Sequence, residues 1–221
     1  MKVLLLKFLF VLALLSSFSF AQNIRDIQGN EYTTRRIGNQ TWTTQNLLVS
    51  KFKNGDAILK AKTKAEWVNA NQSRTPACCC FKFIDANCQK YGMLYNWYAA
   101  VDSRGLAPEG WRVPSDQDFT KLTTYLGGPS KAGHKLKSKK GWYYNSSGIN
   151  GSNSSKFNGS ATGEISEIGW FYAENQMAYY WSTTPGPSNN AYGLGLWRHS
   201  KTSRRPLYPQ GYGFAIRCIK N

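Results

Sequence analysis

The chain has 221 residues, and its 28 Lys and Arg against 12 Asp and Glu give a formal net charge of +16. That length suits a single domain. The positive charge favours acidic polymers as partners, and the simpler interpretation is a soluble surface whose charges repel other copies of the protein. Because the basic residues are spread along the chain without an RNA-recognition or helix-turn-helix signature, nucleic acid is excluded as an expected partner. The densest basic patches are short and lie at 135–140 and 198–205.

The N-terminal residues have the pattern of a secretory signal peptide. A basic start leads into an almost wholly apolar run over 3–15, and small side chains at Ser19 and Ala21 follow at cleavage-site spacing. The run is shorter than the ~20 apolar residues that a bilayer span needs. We therefore predict a signal peptide over 1–21 and a single domain over 22–221, exported through the secretory pathway to the extracellular space or outer cell surface. The mature chain is expected to have no transmembrane segment, and an uncleaved membrane anchor is the alternative.

Short strands and loops are predicted for the next part of the chain. Gly-Asn pairs at 29–30 and 38–39 suit tight turns, so we expect an N-terminal β-meander over 26–47. Helix-forming residues over 63–70 predict one short helix. Aromatic and apolar residues over 91–101 fit both helical and strand spacing, so the two structures compete there.

The segment "APEGWRVPSDQDF" (107–119) predicts a strand followed by a capped helix. Ser115 can cap the helix while Asp118 returns a bond to the Ser115 amide, which is a capping box with Asp in place of the usual Glu. In the preceding strand, Arg112 is expected to point outward between two buried neighbours, where it can bind a ligand or form an ion pair. Because the cap accounts for the aspartate, we interpret this segment as a structural joint rather than a catalytic corner.

The second half of the chain contains a polar region between apolar segments. Residues 129–165 are rich in Ser, Gly, Asn and Lys, which predicts a long mobile loop region that serves either recognition or as a tolerated insertion. Residues 176–185 and 212–221 are interpreted as core strands. The lone Gly-x-Gly within 192–197 indicates a strand with close backbone packing.

Five cysteines are present, at Cys78, Cys79, Cys80, Cys88 and Cys218. In an exported protein they are expected to oxidise where geometry permits, and an odd number leaves one thiol free or intermolecular. Adjacent cysteines rarely bond each other because a disulfide needs Cα atoms ~4.4 to 6.8 Å apart with converging side chains. Cys218 is therefore expected to pair with one of the three contiguous cysteines. Zinc is the alternative, but contiguous spacing and two histidines fit it poorly, so neither a metal nor a cofactor is expected.

No catalytic signature is present in the sequence. It contains no Gly-x-Ser-x-Gly, His-Glu-x-x-His, phosphate-binding loop or dinucleotide-binding pattern. The two histidines lie in basic surroundings and are poor candidates for a general base. A cysteine nucleophile needs a lowered pKa and a nearby base, which the sequence does not show. The sequence therefore favours a protein that is not an enzyme.

Several segments together resemble one bacterial family. They are "IGNQTWTTQNL" (37–47), "NGDAI" (54–58), "YGMLYNWYAAVDSRGLAPEGWRVPSDQDFTKLTTYLGG" (91–128), "AGHKLKS" (132–138), "YYWSTT" (179–184) and "GFAIRC" (213–218). From about residue 26 to the C-terminus, the chain resembles the Fibrobacter succinogenes major paralogous domain, an exported domain of unassigned biochemistry. The segment "TPACCCF" departs from the single cysteine of that family. The resemblance places Cys79 at its position and implies a Cys79–Cys218 disulfide, with the other three cysteines as additions.

A second resemblance concerns the fold. The segment "WRVPSDQDF" is similar to the R-L-P-T-E-A-E-W corner of formylglycine-generating (sulfatase-modifying) enzymes, and "GFAIRC" is similar to their closing G-F-R-C strand. This likeness implies the α+β class: a single compact C-type-lectin-like domain, loop-rich, with short strands and two or three short helices. It does not carry over the activity, because function belongs to the site and not to the fold.

A lectin-like domain would bind polysaccharide or a surface protein through exposed aromatic side chains and long loops. The candidate contact residues are Trp142, Tyr143, Tyr144, Trp170, Tyr192, Trp197 and Arg198. Core packing is the alternative for each of them. We therefore predict a non-catalytic recognition or adhesion module. The alternatives are a structural envelope protein and an enzyme on a sulfatase-modifying type of fold, acting through Cys218 or the contiguous cysteines.

Overall fold

Short strands and short helices alternate along the chain, which a computed structural model describes over residues 23–143 and 151–221. The strands are β1 (Asn23–Arg25), β2 (Glu31–Ile37), β3 (Gln40–Thr43), β4 (Leu59–Ala61), β5 (Ala77–Cys79), β6 (Leu94–Tyr95), β7 (Trp111–Arg112), β8 (Glu164–Ile165), β9 (Phe171–Tyr172), β10 (Met177–Pro185), β11 (Asn190–Trp197), β12 (Ser203–Arg204), β13 (Leu207–Pro209) and β14 (Ile219–Lys220). The helices are α1 (Lys64–Gln72), α2 (Asp85–Tyr91), α3 (Trp97–Ala100), α4 (Asp116–Tyr125) and α5 (Pro129–Leu136), with a 3-10 turn at Phe81–Phe83. These elements make the domain α+β, as predicted, while the predicted signal peptide over 1–21 lies outside the described residues.

The N-terminal meander and the C-terminal strand share one sheet, in the order β1-β2-β3-β14-β7. β1, β2 and β3 pair antiparallel in chain order, with β1 before the start of the meander predicted over 26–47, and the turn between β2 and β3 uses Gly38 at a φ of 63°. A Cβ added at Gly38 would lie 2.9 Å from the ring of Tyr125, so a side chain of α4 covers this turn. β14 pairs with both β3 and β7, which joins the two ends of the described chain in one sheet.

Strands β10 and β11 separate the two largest hydrophobic clusters. Because side chains alternate along a strand, Tyr179 and Trp181 face the cluster that contains Phe214, while Ala178 and Tyr180 face the other. The predicted core strand over 176–185 is therefore confirmed, with both of its faces buried. Strand structure is assigned in the 212–221 segment only to Ile219–Lys220, although the residues just before it are buried.

Helix α4 begins with the predicted capping box. The Ser115 Oγ accepts a bond from the Asp118 amide (3.2 Å), and an Asp118 carboxylate oxygen accepts one from the Ser115 amide (2.7 Å). Arg112 points outward and donates to both carboxylate oxygens of Asp118, at 2.6 and 3.0 Å. Burial alone would raise the pKa of Asp118, but the bonds from Arg112 and Ser115 outweigh it and lower this pKa to about 2. The segment is a structural joint, as interpreted from the sequence.

The disulfide joins Cys80 to Cys88, so the predicted pairing of Cys79 with Cys218 is wrong. Alternation along the chain places Cys78 and Cys80 in the same cluster as Cys88 and Cys218, whereas Cys79 lies in a separate cluster on the other side of β5. Cys79 therefore points away from Cys218. Helix α2 instead brings the Cα of Cys88 to 4.9 Å from that of Cys80, within the range for a disulfide.

The loop region predicted over 129–165 is wrong in part, because α5 and β8 lie within it. Pro129 occupies the first turn of α5, where a missing amide hydrogen has no cost, and Ala132 and Leu136 are buried four residues apart. Polar residues dominate the composition of 129–165, so this short amphipathic pattern was not recognised in the sequence. Residues 144–150 of the region lie outside the described part of the chain. With α5, the described ranges contain five α-helices, more than the two or three expected.

Two of the cations that contribute to the net charge are buried. Lys137 donates to three carbonyl oxygens of the loop over 197–200, at 3.0 to 3.2 Å, and burial lowers the pKa of Lys137 to about 8. Arg217 donates to the side chain of Asn46 at 2.6 Å and to three backbone carbonyls. The basic patch predicted over 135–140 is therefore smaller at the surface than in the sequence. Within the described ranges, no helix has the length and apolar character needed to cross a membrane.

Candidate functional site

The candidate site lies on one face of the sheet formed by β10, β11, β12 and β13. The antiparallel register places Met177 opposite Trp197 and Tyr179 opposite Gly195, so large side chains of β10 face a strand that carries glycines. A Cβ at Gly195 would lie 2.7 Å from the Trp197 ring and 3.4 Å from that of Tyr179. The Gly-x-Gly pattern therefore marks close packing, as predicted, and it lets aromatic rings lie flat against β11.

Aromatic rings form a continuous cluster on this face. Tyr179 stacks on Phe214 with ring centroids 4.9 Å apart, and it contacts Trp197 at 5.8 Å and Tyr208 at 5.3 Å. Tyr208 in turn contacts Tyr212 at 5.2 Å. Phe214 and Tyr179 are buried, whereas Trp197, Tyr208 and Tyr212 are half-buried and reach solvent. The surface made by Tyr172, Tyr179, Trp197, Tyr208 and Tyr212 is called the aromatic face below.

Glu164 lies beneath this surface. Three strand pairings place it there. Glu164 lies opposite Tyr172 in the β8–β9 pair, and its neighbours Gly163 and Ile165 form bridges to Ala178 and Gly213. Because side chains alternate along a strand, Glu164 then lies on the same side as Tyr179, Tyr212 and Phe214. The next residue, Ile165, points the opposite way and packs in the cluster on the other side of β8. Glu164 is therefore an acidic side chain on the same side of the strands as the aromatic rings.

Glu164 is only 8% exposed, and its Oε2 accepts no hydrogen bond from the described residues. Burial raises the pKa of Glu164 to about 7. Tyr208 donates its hydroxyl to Tyr179 (3.2 Å), and Tyr179 donates to the Met177 sulfur (3.0 Å), so neither hydroxyl hydrogen serves the carboxylate. A buried acceptor without a donor is costly, so Glu164 lowers the stability of the fold where it is ionised.

The two ends of the aromatic face differ in charge. At one end the guanidinium of Arg204 lies 5.1 Å from the Trp197 ring centroid. At the other end burial raises the pKa of Tyr212, and the charges of Glu164 and Glu167 raise it further, so two carboxyl groups act on this ring. The face thus offers a basic end that suits anionic groups and an acidic end that suits cationic ones.

A separate polar cavity of about 390 Å³ lies between Tyr32, Asn46 and Tyr91, next to Arg217. The guanidinium of Arg217 already makes four hydrogen bonds, to Asn46 and to the backbone carbonyls of Thr43, Phe157 and Asn158. Arg217 therefore holds three chain segments together rather than receiving an anion. Among the described residues, no cluster of three or more His, Cys, Asp and Glu side chains is arranged for a metal ion.

A family model of the Fibrobacter succinogenes major domain matches residues 36–220, which is most of the chain. The chain belongs to this family. Neither the search of curated proteins nor the search of solved structures found a match. All members of the aromatic face and Glu164 lie within the matched residues, so the candidate site is part of the Fibrobacter succinogenes major domain itself.

The predicted contact residues of this major domain are separated by the fold. Trp142 is wrong as a surface contact, because it is only 8% exposed and its indole nitrogen donates to Ser138 and to the Gly159 carbonyl. Tyr143 is 62% exposed, and the Arg198 guanidinium lies 5.5 Å from its ring centroid. Tyr144 lies outside the described residues.

The remaining candidates divide between two places. Trp197 belongs to the aromatic face, whereas the Arg198 guanidinium lies over the ring of Tyr143. Trp170 is 55% exposed but lies against α1, where Lys64 covers its ring at 3.8 Å. Tyr192 is half-buried and pairs with Leu207, one position out of step with Tyr208, so it points to the other side of the sheet. The fold therefore unites only part of the predicted set.

Sequence reasoning missed Glu164, Tyr172, Tyr179, Tyr208 and Tyr212. Tyr179 lies in a segment interpreted as core, which it is, and only the register with β11 shows that its ring also supports a surface. No local pattern marks Glu164, because its burial depends on bridges to residues that are distant in sequence. A cluster of tyrosines over 208–212 was the available signal for this end of the site.

Proposed function

We propose that this major domain is an exported recognition module that binds a glycan, or a glycan-bearing surface partner, through the aromatic face. The observation that carries the proposal is the row of half-buried rings, Trp197, Tyr208 and Tyr212, held on a rigid sheet by buried Tyr179 and Phe214. Rigid aromatic surfaces provide large contact areas at small entropic cost, and sugars present matching apolar ring faces.

The cellular location and the architecture belong to the same proposal. The signal-peptide pattern over 1–21 and the disulfide between Cys80 and Cys88 support export, since disulfides persist in oxidising compartments. The short strands and long connections support a C-type-lectin-like architecture for 22–221. The basic end of the face, with Arg204, suits an acidic polysaccharide as one class of partner.

The free cysteines do not support an enzyme. Cys78, Cys79 and Cys218 are all buried, and burial raises the pKa of Cys78 and of Cys218 to about 12. Thiols with such pKa values stay protonated near neutral pH, whereas a cysteine nucleophile acts as the thiolate. A recognition surface fits this arrangement better than thiol chemistry does.

The test is a polysaccharide and glycan binding screen on the purified protein, repeated in about 1 M salt, where the Debye length falls to about 3 Å. We expect saturable binding that persists in salt and weakens about tenfold or more in Tyr212→Ala. Tyr125→Ala is the matched control, because Tyr125 is an exposed tyrosine on α4. Binding that is lost in salt, or that is equal in Tyr212→Ala and wild type, would overturn the proposal. Thermal unfolding of each variant verifies that it is folded.

A further inference from the structure

A solvent-accessible cavity of about 580 Å³ lies beside the acidic end of the aromatic face. Its walls include the end of α1, part of α3, the loop after β8, the turn between β10 and β11, and residues 209–211. Residues 209–211 join Tyr208 to Tyr212 in sequence, and Glu167 of the loop after β8 acts by its charge on Tyr212. The volume is within the range of ~300 to 1,000 Å³ for small-molecule sites. This cavity is called the amide cavity below, because its walls carry the side-chain amides of Asn71, Gln72, Asn189, Asn190 and Gln210.

Hydrogen bonds between the walls fix the shape of the amide cavity. The Asn71 side-chain amide donates to the Glu167 carbonyl oxygen at 3.2 Å, which joins α1 to the loop after β8. The Gln210 side-chain amide donates to the Asn190 carbonyl oxygen at 3.3 Å, and its backbone amide donates to that of Asn189 at 3.0 Å. These two bonds join the segment over 209–211 to the start of β11. The cavity is therefore formed in the free protein, and a preformed site binds its ligand at a smaller entropic cost.

Other polar groups on the walls remain available to a ligand. The Glu167 carboxylate and the Tyr98 hydroxyl form no hydrogen bond or ion pair with the described residues. The Gln210 Oε1 also accepts no hydrogen bond within the described part of the chain. The Arg74 guanidinium donates to the Asn189 side-chain oxygen at 3.5 Å, which leaves most of its N–H donors unused by that part of the chain. The walls thus offer both donors and acceptors of hydrogen bonds.

The composition of the walls favours a neutral, hydroxyl-rich ligand. Arg74 and Glu167 are the two charged side chains among the lining residues, so the cavity carries no net charge in a chain with a formal net charge of +16. A sugar hydroxyl both donates and accepts hydrogen bonds, so it pairs with either kind of group on the walls. The half-buried Val68 and Tyr98 and the exposed Ile168 supply apolar surface, which suits the C–H face of a sugar ring.

We propose that the amide cavity is a subsite for one neutral sugar residue of a glycan whose neighbouring residues stack on the aromatic face. The acceptors for its hydroxyl groups are the Glu167 carboxylate and the Gln210 Oε1. The donors to its oxygen atoms are the Arg74 guanidinium and the Tyr98 hydroxyl. The inference rests on the proposed glycan-binding function and deepens it. The rings give contact area to many sugars, whereas the cavity selects sugars by where their hydroxyl groups lie, because a missing hydroxyl leaves a desolvated polar group unpaired.

The test measures, by calorimetry on the full protein, the binding of hexamers of glucose, mannose, xylose and N-acetylglucosamine. The variants are Glu167→Gln and Tyr98→Phe, which preserve the size of the side chain and remove no hydrogen bond made by the described residues. We expect the tightest-binding hexamer to lose about tenfold or more in affinity in Glu167→Gln and about threefold or more in Tyr98→Phe, since hydrogen bonds to charged groups are the stronger. Glu109→Gln, at a highly exposed acid outside the cavity, and Tyr125→Phe, at an exposed tyrosine on α4, are the matched controls and keep the wild-type affinity.

The variant Tyr212→Ala separates this subsite from the aromatic face. If a hexamer binds wild type, Glu167→Gln and Tyr98→Phe equally but binds Tyr212→Ala more weakly, the cavity is not a sugar subsite and the glycan-binding proposal stays intact. Binding of acidic polysaccharides alone, with none of the neutral hexamers bound, would also overturn the neutral-sugar subsite. If no sugar of any kind binds, the glycan-binding proposal is overturned together with its subsite. Thermal unfolding of every variant verifies that weaker binding is not a loss of fold.

Discussion

At the residue scale, Glu164 makes the stability of the domain depend on pH. Its pKa is about 7 in the folded chain, above the ordinary value of 4.5, because burial disfavours the carboxylate. The folded state therefore holds a proton that the unfolded state has released between these two values. Linkage then requires stability to fall as pH rises from about 4.5 to about 7, and the loss is complete above that range.

Replacing Glu164 by Gln should remove this dependence. At about pH 8 we expect Glu164→Gln to be more stable than wild type by up to about 3 kcal/mol, because the variant does not bury a negative charge. At about pH 4.5 the two proteins should be nearly equal, since wild-type Glu164 is then protonated in the folded state. Urea unfolding at both pH values measures the difference, and Glu109→Gln should follow wild type at each.

A stability difference between Glu164→Gln and wild type that is the same at both pH values would contradict this account. It would mean that the variant acts through shape or packing rather than through charge.

The sequence carries no signal that identifies residues such as Glu164. The chain contains twelve acids, and nothing in the residues next to Glu164 distinguishes it from the exposed Glu167 three positions later.

At the element scale, features that depend on residues close in sequence could be predicted, whereas contacts between residues distant in sequence could not. The cap of α4 could be predicted because its donors and acceptors, Ser115 and Asp118, are three residues apart. Helix α5 was missed although Pro129 and the spacing of Ala132 and Leu136 favour it, because the surrounding residues have the composition of a loop. Short helices among polar residues depend on what they pack against, and in α5 that is the chain over 201–203.

Gly133 shows how strongly that packing constrains α5. By helix propensity alone, Gly133→Ala should stabilise the protein by about 1 kcal/mol. A Cβ at this position would lie 2.5 Å from the carbonyl oxygen of Thr202, which is backbone and cannot rotate away. We therefore expect Gly133→Ala to destabilise the protein by about 1 to 3 kcal/mol, as overpacked substitutions do.

The measurement is urea unfolding of Gly133→Ala beside Lys131→Ala, which changes an exposed residue of the same helix. The control should differ from wild type by less than about 0.5 kcal/mol. Stabilisation by Gly133→Ala would show that α5 does not approach the 201–202 backbone as closely as described. Since Trp197 precedes this backbone, the same variant should also weaken binding at the basic end of the aromatic face.

At the scale of the whole molecule, the family and the α+β class could be predicted from sequence, whereas the partners of the cysteines could not. The meander, the capped joint and the closing strand are continuous segments, so each carries its own pattern. Disulfide pairing depends on which side of β5 each cysteine occupies, and three contiguous cysteines alternate between two core clusters. The same limit applies to the aromatic face, whose members come from five strands or connections.

Alkylation followed by mass measurement tests the arrangement of all five cysteines at once. In the folded protein no cysteine should react, because Cys78, Cys79 and Cys218 are buried and the other two form the disulfide. After unfolding without a reductant, the chain should take up three labels, and after unfolding with a reductant it should take up five. A second disulfide between Cys79 and Cys218 would leave a single label in the unreduced, unfolded chain. Peptide mapping of the blocked cysteines then gives the pairing directly: a linked peptide that contains Cys88 supports this fold, and one that contains Cys218 contradicts the separation of Cys79 from Cys218 by β5.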